Sequence, residues 1–195
     1  MPPTVRWCGQ CLASPPLFER TITAFDYGFP WDRLIATFKF RGEVHHASAL
    51  ARPLISALQQ AGETVDVVTS VPLAAHRLRQ RGYNQAWELA RRVAASLTLP
   101  ARHDLLHRLR DTPHQMQLNR ADRDANLRGA FMPASAQARQ TLRGRRVALV
   151  DDVLTTGTTA NEATRALLEA GAASVHLWVL ARTGRDAPPV DATIA

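Results

Sequence analysis

The chain has 195 residues, enough for one α/β domain with its own core and at most a small appendage. Hydrophobic residues make up 46%, ordinary for a globular protein, and no apolar run reaches the length a membrane-spanning helix needs. The net charge of +7 is almost all arginine, since Lys39 is the only lysine, and eleven arginines against five acids between His76 and Arg128 put +6 of it in one stretch.

Met1–Arg6 leads directly to Trp7–Cys11 (WCGQC) with no apolar core before a small-residue cleavage site, so the start reads as no signal peptide and the expected location is the cytoplasm. Cys8 and Cys11 are spaced C-x-x-C. Two ligands do not complete a structural zinc site, and Leu12–Pro16 is a poor helix start for a thioredoxin-like redox pair. Half of a metal knuckle, a vestige of one, a redox pair and no role all stay open. Residues 1–20 are read as this leader and residues 21–195 as the domain.

Thr21–Tyr27 alternates as a strand, and Gly28-Phe29-Pro30 turns it. Trp31–Phe40 carries Leu34, Ile35 and Phe38 at helical spacing. His46–Gln60 predicts a second helix, with Leu50, Leu54, Ile55 and Leu58 on one face. Pro53 sits inside it, and proline in a helix interior costs about 3 kcal/mol, so the start is expected near Pro53. Val65–Val71 is a β-branched buried strand ended by Pro72. Asn84–Leu97 is amphipathic. His103–Arg128 is polar, arginine-rich and without periodicity. Arg145–Val153 contains the continuous apolar run Val147–Val150, as a central parallel strand does. Thr159–Gly171 predicts a helix closed by its glycine, Val175–Leu180 a strand, and the remainder a tail. Alternating strands and helices predict a parallel sheet with helices on its faces, and such sheets bind ligands at the carboxyl ends of their strands.

The segment Val147–Thr159 (VALVDDVLTTGTT) carries the chemistry. An apolar strand delivers two carboxylates, Asp151 and Asp152, to its carboxyl end. A loop of Thr155, Thr156, Gly157, Thr158 and Thr159 follows and runs into a helix. The N–H groups at a helix start bind anions, a glycine lets backbone curl around a bound group, and threonine hydroxyls add donors. Carboxylates beside a phosphate cradle would repel the phosphate, so they suit the vicinal hydroxyls of a sugar. Phosphate on one side and a diol on the other describe ribose 5-phosphate. The bland reading is a solvated turn and a capped helix; the combination in one strand–loop–helix unit favours the site. No Walker A motif or G-x-G-x-x-G is present.

These residues resemble the 5-phosphoribosyl-1-pyrophosphate (PRPP) signature of the type I phosphoribosyltransferases. With Trp7–Cys11, Phe38–Gly42, Val71-Pro72-Leu73, Arg77, Arg81–Gln85, Gln115, Arg123, Asn126 and Gly129–Phe131 in order, the chain resembles the ComF family of competence-associated, phosphoribosyltransferase-like proteins over nearly its whole length. The resemblance implies a mainly parallel α/β sheet flanked by helices, with a flexible lid and the cysteine-containing leader. It implies that Asp151 and Asp152 hold the ribose hydroxyls and Thr155–Thr159 the 5-phosphate. It places the pyrophosphate loop at Val71, Pro72 and Leu73, with Arg77 and Arg81 behind it and Arg79 between them, and the lid at Arg110, Gln115, Arg123 and Asn126. Mg²⁺ would arrive with the pyrophosphate, its remaining positions filled by water. The family begins with a four-cysteine knuckle, of which only the second pair, Cys8 and Cys11, stands here; the first pair lies upstream of Met1 or the zinc site has decayed.

Two functions follow from the resemblance. One is transfer of a 5-phosphoribosyl group from PRPP to an unidentified acceptor with release of pyrophosphate. The other is a non-catalytic DNA-uptake component that keeps the fold and binds single-stranded DNA or a helicase partner. A nucleobase acceptor would meet the segment near Phe25–Arg41, where Trp31, Phe38 and Phe40 either stack on it or pack the core. A lone DNA-binding domain fits poorly, because the aromatics are not interleaved with the arginines. His45, His46, His103, His107 and His114 match no ligand set and are read as surface residues. Replacing Asp151 and Asp152 together by Asn is expected to abolish ribose 5-phosphate binding and to leave the melting temperature equal or higher, because crowded carboxylates repel.

Overall fold

A computed structural model describes residues 14–40, 44–109 and 129–184. Four strands make the main sheet: β1 (Arg20–Asp26), β2 (Val67–Ser70), β5 (Arg146–Leu154) and β6 (Ser174–Arg182). Their order is β1-β6-β5-β2, and every pairing is parallel. A small antiparallel pair, β3 (Leu106–Arg108) and β4 (Phe131–Pro133), stands apart. The helices are α1 (Trp31–Phe40), α2 (His46–Gln60), α3 (Ala75–Arg81), α4 (Gln85–Ser96), α5 (Ala136–Leu142) and α6 (Thr158–Glu169).

Side-chain alternation along β5 builds two cores. Val147 and Leu149 face α5, α6 and the β3–β4 pair, packing with Leu142, Leu167 and Leu106. Ala148 and Val150 face the other way and pack with Ile35, Phe38, Leu54, Leu89 and Val93 of α1, α2 and α4. Burying each large aliphatic side chain contributes roughly 1.5–3 kcal/mol, so both faces of the sheet are held by ordinary hydrophobic burial. The β2 edge is covered: Val68 N–H donates to the Pro100 carbonyl at 2.8 Å, and Thr69 Oγ1 donates to the Arg102 carbonyl at 2.8 Å.

α2 begins at His46, not near Pro53. Ala47, Leu50 and Ala51 are buried ahead of the proline, and their packing offsets the lost backbone bond. Phe18 packs into the core and Leu17 N–H donates to Asn161 Oδ1 at 2.9 Å, so the end of the segment read as a leader docks on the domain. Cys8 and Cys11 lie outside the described residues, as do Arg110, Gln115, Arg123 and Asn126. Among the described residues no helix is long and apolar enough to cross a membrane.

Candidate active site

β2 and β5 run parallel; Val71 N–H donates to the Val150 carbonyl at 2.9 Å, where β2 ends, and β5 continues to Leu154 along the same carboxyl edge. Two loops leave this edge. One is Val71-Pro72-Leu73, leading to α3; the other is Thr155–Gly157, leading to α6.

Gly157 is the N-cap of α6 with φ +80°, a left-handed conformation that L side chains rarely adopt. As a glycine it brings no side chain to cap the helix. The Thr158 N–H turns to Thr156 Oγ1 at 3.5 Å, and the next N–H groups of the first turn have no acceptor within the helix, so they face an anion site. The hydroxyls of Thr156 and Thr158 sit 3.1 Å apart beside it. A cavity of about 50 Å³ is lined by Asp151 and by residues 153–160, which include Thr155, Thr156, Gly157, Thr158 and Thr159. The 5-phosphate loop read from sequence is thus one continuous concave surface.

The two aspartates part company. Alternation along β5 sends Asp151 toward the cavity and Asp152 toward α1 and α4. Asp152 is buried, 4% exposed. Its Oδ1 lies 2.8 Å from Lys39 Nζ, and its Oδ2 accepts from Gln85 Nε2 at 2.9 Å. Both oxygens are engaged by protein. Asp151 accepts from the Asp152 backbone N–H at 2.9 Å. Burial, and then the neighbouring Asp152 charge, push the Asp151 carboxyl up to about 7, against smaller opposing effects of that N–H, Lys39 and Arg108. Asp151 therefore holds its proton more readily than an ordinary aspartate.

On the other loop, Val71 is buried, and Pro72 and Leu73 are half-buried. α3 buries none of its residues, and Gly82 closes it. Burial holds the Arg81 guanidinium below its ordinary value, with Asp152 opposing that effect and Arg77 adding to it. Arg81 thus belongs to the electrostatic surroundings of Asp152. The sequence reading gave no role to Lys39, Asn84 or Gln85. The available signal was that a chain this rich in arginine keeps one lysine, in the segment before Gly42.

The aromatics near β1 are engaged internally. Trp31 stacks on Phe25 with ring centroids 3.9 Å apart, and Phe38 is fully buried; the Phe40 side chain lies outside the described residues. Among the described residues no three His, Cys, Asp or Glu side chains gather as a metal cage. A cation at this edge would rest on the ligand's own oxygens and water, with Asp151 the carboxylate that borders the cavity.

Residues 83–195 match the family model described as "Phosphoribosyl transferase domain". The chain is 36% identical over 180 residues to Competence protein F of Haemophilus influenzae, covering 90% of this chain and 78% of that protein. It is 36% identical over 181 residues to DNA utilization protein YhgH of Escherichia coli K12, with the same coverage. Among solved structures it is similar to glutamine PRPP amidotransferase from B. subtilis, at a TM-score of 0.46 and 26% identity over 69% of this chain and 26% of that one.

Proposed function

The chain belongs to the ComF family of phosphoribosyltransferase-like proteins, and from that premise we propose that it binds PRPP across the two loops and transfers its 5-phosphoribosyl group to an acceptor. One observation carries the reading: the glycine-led start of α6 and the Asp151 carboxyl border one cavity, at the sheet edge that also bears the 71–73 loop. The 5-phosphate would sit on the N–H groups and hydroxyls of residues 155–159. The ribose hydroxyls would meet Asp151. The pyrophosphate would lie toward residues 71–73, with Arg77 and Arg81 neutralising it.

In the transfer, the bond from ribose C1 to pyrophosphate oxygen breaks, its electrons leave with the pyrophosphate, and the acceptor's lone pair bonds to C1. Positive charge grows on the ring as the leaving group departs. The protein acts by holding both ends of the substrate and by placing fixed charge at the departing oxygens. Mg²⁺, brought by the substrate, would supply further neutralisation of the pyrophosphate.

Isothermal titration of the folded protein with PRPP, with and without Mg²⁺, tests this. Magnesium-dependent binding supports it, and pyrophosphate release then identifies the acceptor. No binding in either condition overturns it. A second reading is a DNA-uptake role, favoured by the names of the two bacterial relatives and by α3, which exposes Arg79 and part of Arg77. It predicts binding to single-stranded DNA that weakens steeply with salt; salt-independent or absent binding counts against it.

A further inference from the structure

Three consecutive side chains ahead of α4 and at its start reach three different elements. The Tyr83 hydroxyl donates to the Phe38 carbonyl, at the end of α1 and next to Lys39. Asn84 Nδ2 donates to the Val71 carbonyl at 3.0 Å, where β2 passes into its loop. Gln85 Nε2 donates to Asp152 Oδ2 at 2.9 Å, at the end of β5. Lys39 closes the arrangement by pairing with the other oxygen of Asp152.

Helix capping accounts for only part of this. Asn84 Oδ1 accepts from the N–H groups of Ala86 and Trp87, at 3.0 and 3.4 Å, and thereby caps α4. That use leaves its amide nitrogen free to reach the other loop. Gln85 is 5% exposed, and its Oε1 is buried with no hydrogen-bond partner among the described residues. A buried acceptor left unmet is costly, and an apolar side chain of the same length would avoid it. The residue is therefore explained by its donor, which holds Asp152.

We propose that Tyr83, Asn84 and Gln85 are positioning residues that fix the loop after β2 against the carboxylates and loop after β5, so that the site selects a ligand carrying an anionic group at each end of a ribose. The inference rests on the PRPP reading above. A ligand anchored at both loops needs a set distance between them, whereas ribose 5-phosphate uses the β5 side alone. Loosening the tie should therefore penalise the two-ended ligand selectively.

Asn84→Ser separates the tie from the cap, because serine caps a helix about as well as asparagine but offers no amide donor to Val71. Asn84→Ala removes both. Titrations with PRPP and with ribose 5-phosphate, both in Mg²⁺, are compared alongside thermal melts. The expected result for Asn84→Ser is a melting temperature within about 3 °C of wild type. PRPP affinity should fall about tenfold, with ribose 5-phosphate affinity changed less than about twofold. Asn84→Ala should show the same selective loss together with a lower melting temperature. Equal loss of both ligands, or loss of neither, overturns the positioning role while leaving the PRPP reading standing. A wild-type protein that binds ribose 5-phosphate but not PRPP overturns the PRPP reading and the positioning role with it. One that binds neither overturns both.

Discussion

At the residue scale, the adjacent aspartates should respond oppositely to the same change. Asp151 is held near 7, above the range of an aspartate in an unfolded chain. A carboxyl raised by folding binds its proton more tightly in the native state. Stability therefore falls as pH rises from the unfolded value toward the folded one. Asp151→Asn removes that loss. The variant should match wild type near pH 4 and exceed it by about 1–3 kcal/mol at pH 7–8, read from urea unfolding across that range. Asp152→Asn should act the other way. It takes the countercharge from Lys39, whose side chain is 20% exposed, and sets an amide against Gln85. A loss of about 1–3 kcal/mol at pH 7 is expected in the same unfolding measurement. Read from sequence, the pair appears as two crowded charges whose joint removal costs no stability. The structure separates the two: strand alternation carries Asp152 to Lys39 and Gln85 and leaves Asp151 at the cavity.

At the element scale, the β5–loop–α6 unit is where sequence and structure agree most closely. Its apolar run, its glycine and its threonines each act through the local backbone, which sequence spacing reports directly. Gly157 shows this: at φ +80° an alanine would cost about 1–2 kcal/mol, while its Cβ would meet only Leu154 Cδ1 at 3.7 Å. Gly157→Ala should therefore lower stability by about that amount in chemical denaturation and weaken ribose 5-phosphate binding more than the stability loss alone explains. The elements that sequence did not show are those with no local signature. α3 buries none of its residues, so no apolar period marks it. β3 and β4 are three residues each and find each other across the chain. α5 is held by Ala138 and Leu142 alone among its buried residues. The Asn84–Val71 and Gln85–Asp152 contacts join residues 13 and 67 positions apart, and neither pattern nor propensity reports on such pairs.

At the scale of the whole molecule, the opposite end of the sheet carries a separate polar cluster. Glu63, which follows α2, accepts from Trp178 Nε1 at 3.1 Å, sits 2.7 Å from His176 Nδ1, and pairs with Arg20 at 2.8 Å. Burial alone pushes its carboxyl up, but the hydrogen bonds from His176 and Trp178 and the charges of His176 and Arg20 together hold it below the ordinary range. His176 lies six positions before Arg182, roughly 20 Å along a strand that rises about 3.3 Å per residue, and Arg182 pairs with Leu154 where the 155–157 loop begins. The cluster thus ties α2, β1 and β6, with Glu63, His176 and Arg20 at the end of the sheet away from the 155–157 loop. A carboxyl lowered by folding contributes stability above its unfolded value and loses that contribution as pH falls through the folded one. Glu63→Gln should therefore destabilise the protein by about 2–3 kcal/mol at pH 7, with the difference from wild type shrinking in strongly acidic solution. Urea unfolding at several pH values reads the first effect. Titration of the same variant with ribose 5-phosphate reads the second, and its affinity should stay within about twofold of wild type, because the strand between the two ends is packed on both faces by unchanged cores. A loss of ligand affinity in step with the loss of stability would mean that the two ends of the sheet act as one unit.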